Sequence, residues 1–430
     1  MLLERRDVLK LVLGSAALSQ GWAITKACAQ NVPEISSVGT APAFLKNSLV
    51  TLGVDGERFP GVLFGKNGVA NEYGIDNCSV LNELDMTTGA VKQTVIPVSK
   101  PHGALRLGNG NLVITAHHTK TSAVVDRNHR LVKLLEAPEG YLYGGHSALI
   151  PEKNIVIICL RHDKAKTIAD TGLLMVYDAK DFTFLGQYNS HGILPHEIRL
   201  LSDRDEFVLT HYGDIIGADP DGLEFNILEP KLSVLNSGDF SKKREYIQPI
   251  DGIYTHMDIG RSHNVYAISN QYVNYANKSP VEVQSTLEKH NISYNYIQPR
   301  MGKDRARIPV PSGVIRVNAV TGDREEFLSS ENPFLRSQSV AAHPGTGRIF
   351  ATYLYSNQLV VIDEPTKKVI VKSGRDYGFE MVRGVTNIPG SDYVAISDKD
   401  RGVAIIDAAT LEKVKEFDIE HLTSVHLFAT

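Results

Sequence analysis

Four histidines head matching short runs of the chain: His102 in HGALRLGNG, His146 in HSALIPEKN, His196 in HEIRLLSDRD and His256 in HMDIGRSHN. Two more runs, SVAAHPGTG and GVTNIPGSD, carry Ser339 and Gly384 in the same slot, and TSVHLFAT at 423–430 would place Ser424 there. Neutral imidazole nitrogen suits iron, copper, nickel or zinc, whereas magnesium and calcium prefer oxygen ligands. Four imidazoles brought to one point would hold a transition metal, iron or copper first, with zinc also compatible. Gly103, Gly144, Gly145 and Pro195 beside them suit close approach of backbones. Glu197, Asp258 and Tyr143 are the nearest polar groups that could orient the rings from behind. One such histidine alone would read as a hydrogen-bonded space-filler, but four in register among 15 are harder to explain that way. His117, His118, His162, His191, His211 and His263 read as strand-end or loop residues, at the surface or behind the ligands. His343 and His426 fall within the same kind of run at other heights, outside the site.

The elements that must position these residues repeat along the chain. A short apolar strand ending in Asp or Asn, a turn, and a second alternating strand recur at Asp85, Asp126, Asp178, Asn236, Asn318, Asp363 and Asp407. Asp and Asn suit that place because their side chains bond nearby backbone N–H groups and tolerate turn dihedrals. The histidine-headed runs and the apolar strands after them (NLVITAH, IVIICL, EFVLTH, VYAIS, RIFATY, YVAIS) fill the intervals. One repeat is thus four short antiparallel strands over roughly 40–50 residues, the signature of a propeller blade. The fold expected is all-β, a seven-bladed β-propeller whose seventh blade is closed by the C-terminal strand, so that no sheet edge stays open. Inner strands line the channel of such a ring, which would point the four imidazoles at one another. The longest excursion, 271–312, contains SPVEVQSTLEKHN, a candidate short helix from Pro280.

The N-terminal end has a different grammar. Arg5-Arg6 precedes an apolar stretch from Leu11 to Ile24 and the small-x-small pattern Ala27-Cys28-Ala29, the order of a twin-arginine export signal. The expected organisation is a signal peptide at 1–29 and a single propeller domain at 30–430 with an insertion at about 271–312, located in the periplasm. Loss of residues 1–29 removes four basic and two acidic side chains, so the formal charge moves from −4 to −6. An acidic balance of this kind argues against nucleic acid as a partner, and no second stretch is long enough to span a membrane. Cys78 and Cys159 would be the only cysteines left. Cys159, in IVIICL, reads as a core residue, and two cysteines cannot staple 400 residues, so stability must come from the 42% hydrophobic content.

With these features the chain resembles the bacterial domain-of-unknown-function family numbered fifteen-thirteen. The resemblance rests on LYGGHSALIP around His146, GILPHEIRLL around His196, LEPKLSVLNS at 228–237, THMDIG around His256, Gln271-Tyr272, SVAAHP and RGVTNIPG. It departs from the family at Gly145-His146-Ser147, at Lys100-Pro101-His102 and in the length of 271–312. The resemblance implies an exported propeller near periplasmic iron-uptake proteins, with recurrent histidines at His102, His146, His196 and His256, and implies no reaction. Analogies of fold and ligand, not of sequence, run to carotenoid-cleaving oxygenases, which hold ferrous iron with four propeller histidines, and to nitrous oxide reductase, with copper at a histidine-lined hub. Three functions are therefore open: a non-haem iron or copper oxidoreductase or oxygenase; a non-enzymatic metal carrier or uptake-complex scaffold; and, ranked last for want of an acidic hub, a hydrolase.

Overall fold

The computed structural model describes residues 48–52, 79–216, 225–248, 253–274, 307–328, 334–399, 401–420 and 426–429, with Val281, Ser285 and Glu288. Contacts divide the chain into two units, 1–41 and 42–430. The export signal and Cys78 lie outside the described residues, as does Ser424.

The second unit is a seven-bladed β-propeller. Seven four-stranded antiparallel sheets form the blades. Six are continuous in sequence, and their inner strands are Pro101–Arg106, Tyr141–Ile150, Pro195–Leu201, Ile253–Ile259, Ser337–His343 and Val382–Asn387, for blades one to six. Blade seven joins both ends of the chain. Its inner strand, Leu427–Ala429, pairs with Ser48–Leu52 in the register Leu49↔Ala429, Val50↔Phe428, Thr51↔Leu427. The C-terminal strand therefore closes the ring, as the repeat count requires.

The turn logic holds in all seven blades. The carboxylate or amide oxygen at each strand end accepts a backbone N–H two or three residues on: Asp85 from Thr87, Asp126 from Asn128, Asp178 from Lys180, Asn236 from Gly238, Asn318 from Val320, Asp363 from Thr366 and Asp407 from Ala409, at 2.7–3.0 Å. Strands in the middle of a blade are covered on both faces by neighbouring blades, so they read as unbroken apolar runs. Leu112–Ala116 is buried throughout, while the outer strand Lys242–Ile247 alternates toward solvent. Six apolar clusters occupy the seven seams between blades. One runs from Val50 through Val113 to Ile158 and so spans blades seven, one and two; another joins Leu49 and Leu427 to Ile405 across blades six and seven.

The long excursion grows from blade four, whose second and third strands, Asn264–Asn274 and Arg307–Asn318, extend as a ladder out to Asn274↔Arg307. Between them Val281, Ser285 and Glu288 are helical and exposed, where a short helix is expected. No helix among the described residues is long and apolar enough to cross a membrane.

Candidate metal centre

A break in the ladder between first and second strands sets up the centre. In blades one to six the pairing shifts at the channel end of the inner strand: after Pro101, Tyr143, Pro195, Tyr254, Ser337 and Val382. A bulge frees a residue from the ladder and re-aims its side chain. Equivalent pairs beyond each bulge (Ala104↔Ile114, Ser147↔Ile158, Ile198↔Leu209, Met257↔Ala267) show that the four histidines occupy two adjacent positions and not one slot. His102 and His196 take the earlier position, and His146 and His256 the later one, alternating around the ring. Contacts between blades agree. Thr115 donates to the Gly145 carbonyl, the Cys159 thiol to the His196 carbonyl at 3.1 Å, and Thr210 to the Thr255 carbonyl at 3.0 Å, always onto the earlier position of the next blade.

All four rings nevertheless meet. One nitrogen from each of His102, His146, His196 and His256 lies within 4.8 Å of the other three, and all four side chains are buried. The His102 and His196 Nε2 atoms are 3.1 Å apart. Two ligands at about 2.1 Å from one ion would stand about 3.0–3.4 Å apart, so that pair is already at coordination spacing and the others need small ring rotations.

Hydrogen bonds on the far sides of the rings choose the tautomers. His196 Nδ1 donates to the Gly144 carbonyl at 2.6 Å, and His256 Nδ1 to a Glu197 carboxylate oxygen at 3.1 Å. Each leaves Nε2 as a lone pair, the form a metal requires. Across the cluster, His146 Nε2 is buried with no hydrogen-bond partner, a costly arrangement for a polar atom unless a cation faces it. Burial holds His102 and His146 well below the ordinary 6.5, aided by mutual repulsion among the rings; burial also lowers His256 and takes His196 to about 3. The set is therefore neutral at pH 7.

Glu197 sits behind two of the rings. Besides His256 it accepts the Met257 N–H at 3.0 Å and lies 3.9 Å from His146 Nδ1. Burial alone would raise its carboxyl, but Arg199 at 2.5 Å and the His256 and Met257 hydrogen bonds outweigh it and hold the group at about 2. An ionised carboxylate, paired with Arg199, thus backs a neutral set of rings. Asp258 acts one step further out: it is 3.4 Å from Arg199 and accepts the Ala342 N–H at 2.7 Å, bracing Arg199 against Glu197. Tyr143 goes elsewhere. It precedes the bulge on the regular ladder, opposite Leu160, and its ring is wholly buried in the apolar cluster, beside Tyr177 and not against an imidazole.

Two neighbours were not expected at the centre. His426 was placed at another height, yet its Nε2 is 3.3 Å from His102 Nε2 and its ring centroid 4.1 Å from that of His256. The sequence signal was its place within TSVHLFAT, the run expected to close the ring. His117, expected behind the ligands or at the surface, lies tilted against two of the rings, 4.7 Å from His102 and 4.9 Å from His196. His343 does lie apart, bonded to Thr346 and the Ser391 carbonyl. Cys159 is free and buried, and burial pushes its thiol up to about 12.

The glycines pack as the spacing suggested. Gly145 has φ +124°, and a Cβ there would lie 2.7 Å from the His196 ring and 2.9 Å from the His102 ring. Gly145→Ala should therefore cost at least about 2 kcal/mol through strain and displaced rings. Gly140→Ala, at φ +80° with open space around it, should pay the backbone strain alone. Thermal unfolding of the two variants checks this; equal losses would mean that the rings tolerate the intrusion.

The lowered imidazoles also fix a pH dependence for the metal-free protein. Unfolded histidine binds a proton near 6.5, and the folded cluster does not until far lower, so stability is retained above about 6.5 and lost as pH falls below it. Each imidazole withheld from protonation contributes about 1.4 kcal/mol per pH unit. Glu197, also lowered, adds a loss of the same sign only below its ordinary 4.5. The melting temperature should be flat from pH 8 to 7 and fall steeply from 6.5 to 5. A flat profile down to pH 5 would show that the rings protonate freely.

Fold and site define a class: a seven-bladed propeller with a buried four-histidine cluster in its channel, able to hold a metal ion. No family model matches the chain, and no curated protein does. Solved structures do. A hydrazine synthase structure from Kuenenia stuttgartiensis superposes with a TM-score of 0.56 at 8% identity, over 77% of this chain and 92% of that one. An apocarotenoid oxygenase from Synechocystis superposes with a TM-score of 0.53 at 11% identity, over 91% of this chain and 94% of that one. At such identities the likeness is one of fold.

Proposed function

We propose that this chain is an exported, periplasmic metalloprotein that holds one iron or copper ion on His102, His146, His196 and His256 and serves metal acquisition or redox chemistry. The observation that carries this reading is the convergence of four buried, neutral imidazoles with an ionised carboxylate behind them and His146 Nε2 left without a partner. Imidazole ligation favours iron or copper over magnesium or calcium, and the fold likeness to an oxygenase accords with the redox reading. A bound ion of this kind would supply Lewis acidity and one-electron chemistry. The chain's own part is to exclude water, to keep the His196 and His256 Nδ1 protons on Gly144 and Glu197, and to neutralise part of the cation's charge. The resemblance to the fifteen-thirteen family supports an iron-uptake setting.

Elemental analysis of protein recovered from its exported location tests the reading. About one iron or copper per chain is expected, and a metal-free protein that also fails to take up either ion would overturn it. Export has its own test. With both Arg5 and Arg6 changed to Lys, uncleaved precursor should accumulate in the cytoplasm; unchanged periplasmic yield would remove the assignment.

A further inference from the structure

Resting on that metal reading, we infer that His426 supplies a fifth imidazole to the same ion, so that metal binding clamps the strand that closes the ring. His426 comes immediately before the closing strand Leu427–Ala429, which among the described residues has three paired positions with Ser48–Leu52. Its side chain is buried and its ring reaches those of His102, His146 and His256 from blade seven, with centroids 4.8, 5.0 and 4.1 Å apart.

Ring orientation and spacing assign its role. The Ser339 hydroxyl donates to the Val385 carbonyl at 3.3 Å, so its oxygen accepts from His426 Nδ1 at 3.3 Å. His426 Nε2 is then a lone pair, and it faces His102 Nε2 at 3.3 Å. His196 Nε2, also a lone pair because its Nδ1–H is given to Gly144, faces the same His102 atom at 3.1 Å. Both separations match neighbouring ligands on an ion with bonds of about 2.1 Å. The consequence is mechanical. Blade seven is the one blade built from both ends of the chain, and a metal–nitrogen bond beside its short inner strand opposes fraying there.

The test uses the full exported chain, stripped of metal and reloaded with Co²⁺ as a spectroscopic probe. In the wild type, Co²⁺ should slow amide exchange at Leu427, Phe428 and Ala429 at least tenfold. His426→Gln should still bind Co²⁺ through the other four rings, at least tenfold more weakly, with an altered visible spectrum and no added protection of the closing strand. Ser339→Ala, which keeps the imidazole but loosens it, should fall between the two. If both variants match the wild type in affinity, spectrum and protection, His426 is not a ligand although the metal site stands. If His426→Gln does not fold, wild-type behaviour of Ser339→Ala alone overturns the inference. A wild type that takes up no Co²⁺ overturns the metal reading and this inference together.

Discussion

Replacing His146 by alanine should abolish stoichiometric metal while leaving the metal-free fold nearly as stable as before. Its Nε2 is buried without a partner, and removing an unsatisfied buried polar atom returns about 1–3 kcal/mol, which offsets the space left behind. The metal, by contrast, loses a nitrogen ligand outright. The loss of affinity should exceed that of Glu197→Gln, which keeps the ligands but discharges the group that orients His256 and should weaken binding about 10–100-fold. Metal content and thermal unfolding of the two variants, measured side by side, check the ranking. If the rings were only hydrogen-bonded fillers of the channel, the pattern would reverse: little metal in the wild type, and a loss of stability without a loss of metal.

The second large effect is expected from truncation. Removing the chain from Leu427 onward deletes the inner strand of blade seven but keeps His426. Leu427 is 3% exposed and packs against residues such as Leu49, Ile388 and Val403, worth about 2–3 kcal/mol. The ladder to Ser48–Leu52 adds about 1 kcal/mol per hydrogen bond, and its loss opens an edge able to pair with another molecule. A destabilisation of about 5 kcal/mol is therefore expected, against about 5–15 kcal/mol for whole domains, together with aggregation on heating. An unchanged melting temperature would mean that the ring does not depend on this closure.

The fold was legible because its repeating features are local. Each Asp or Asn at a strand end, from Asp85 to Asp407, marks its turn by a hydrogen bond within three residues, and the unbroken apolar runs mark strands covered on both faces. The convergence of His102, His146, His196 and His256 was legible, as was the nearness of Glu197. The fine structure of the site was not. Aligning the runs on the histidines themselves hides the bulge, since the equivalent paired residues, Ala104, Ser147, Ile198 and Met257, lie two residues after His102 and His196 but one after His146 and His256. Tyr143 was misread for a related reason: it lies on the regular ladder before the bulge, so its ring turns to the seam between blades. His426 escaped because the seventh inner strand begins at Leu427, and nothing in TSVHLFAT shows which residue reaches the channel.

X-ray absorption at the metal edge of the exported, metal-loaded protein tests the central claim most directly. A shell of nitrogen scatterers at about 2.0–2.2 Å, with the outer-shell pattern of at least four imidazole rings, is the predicted result. Absence of bound iron or copper, or a shell of oxygen scatterers without imidazole outer shells, would contradict it.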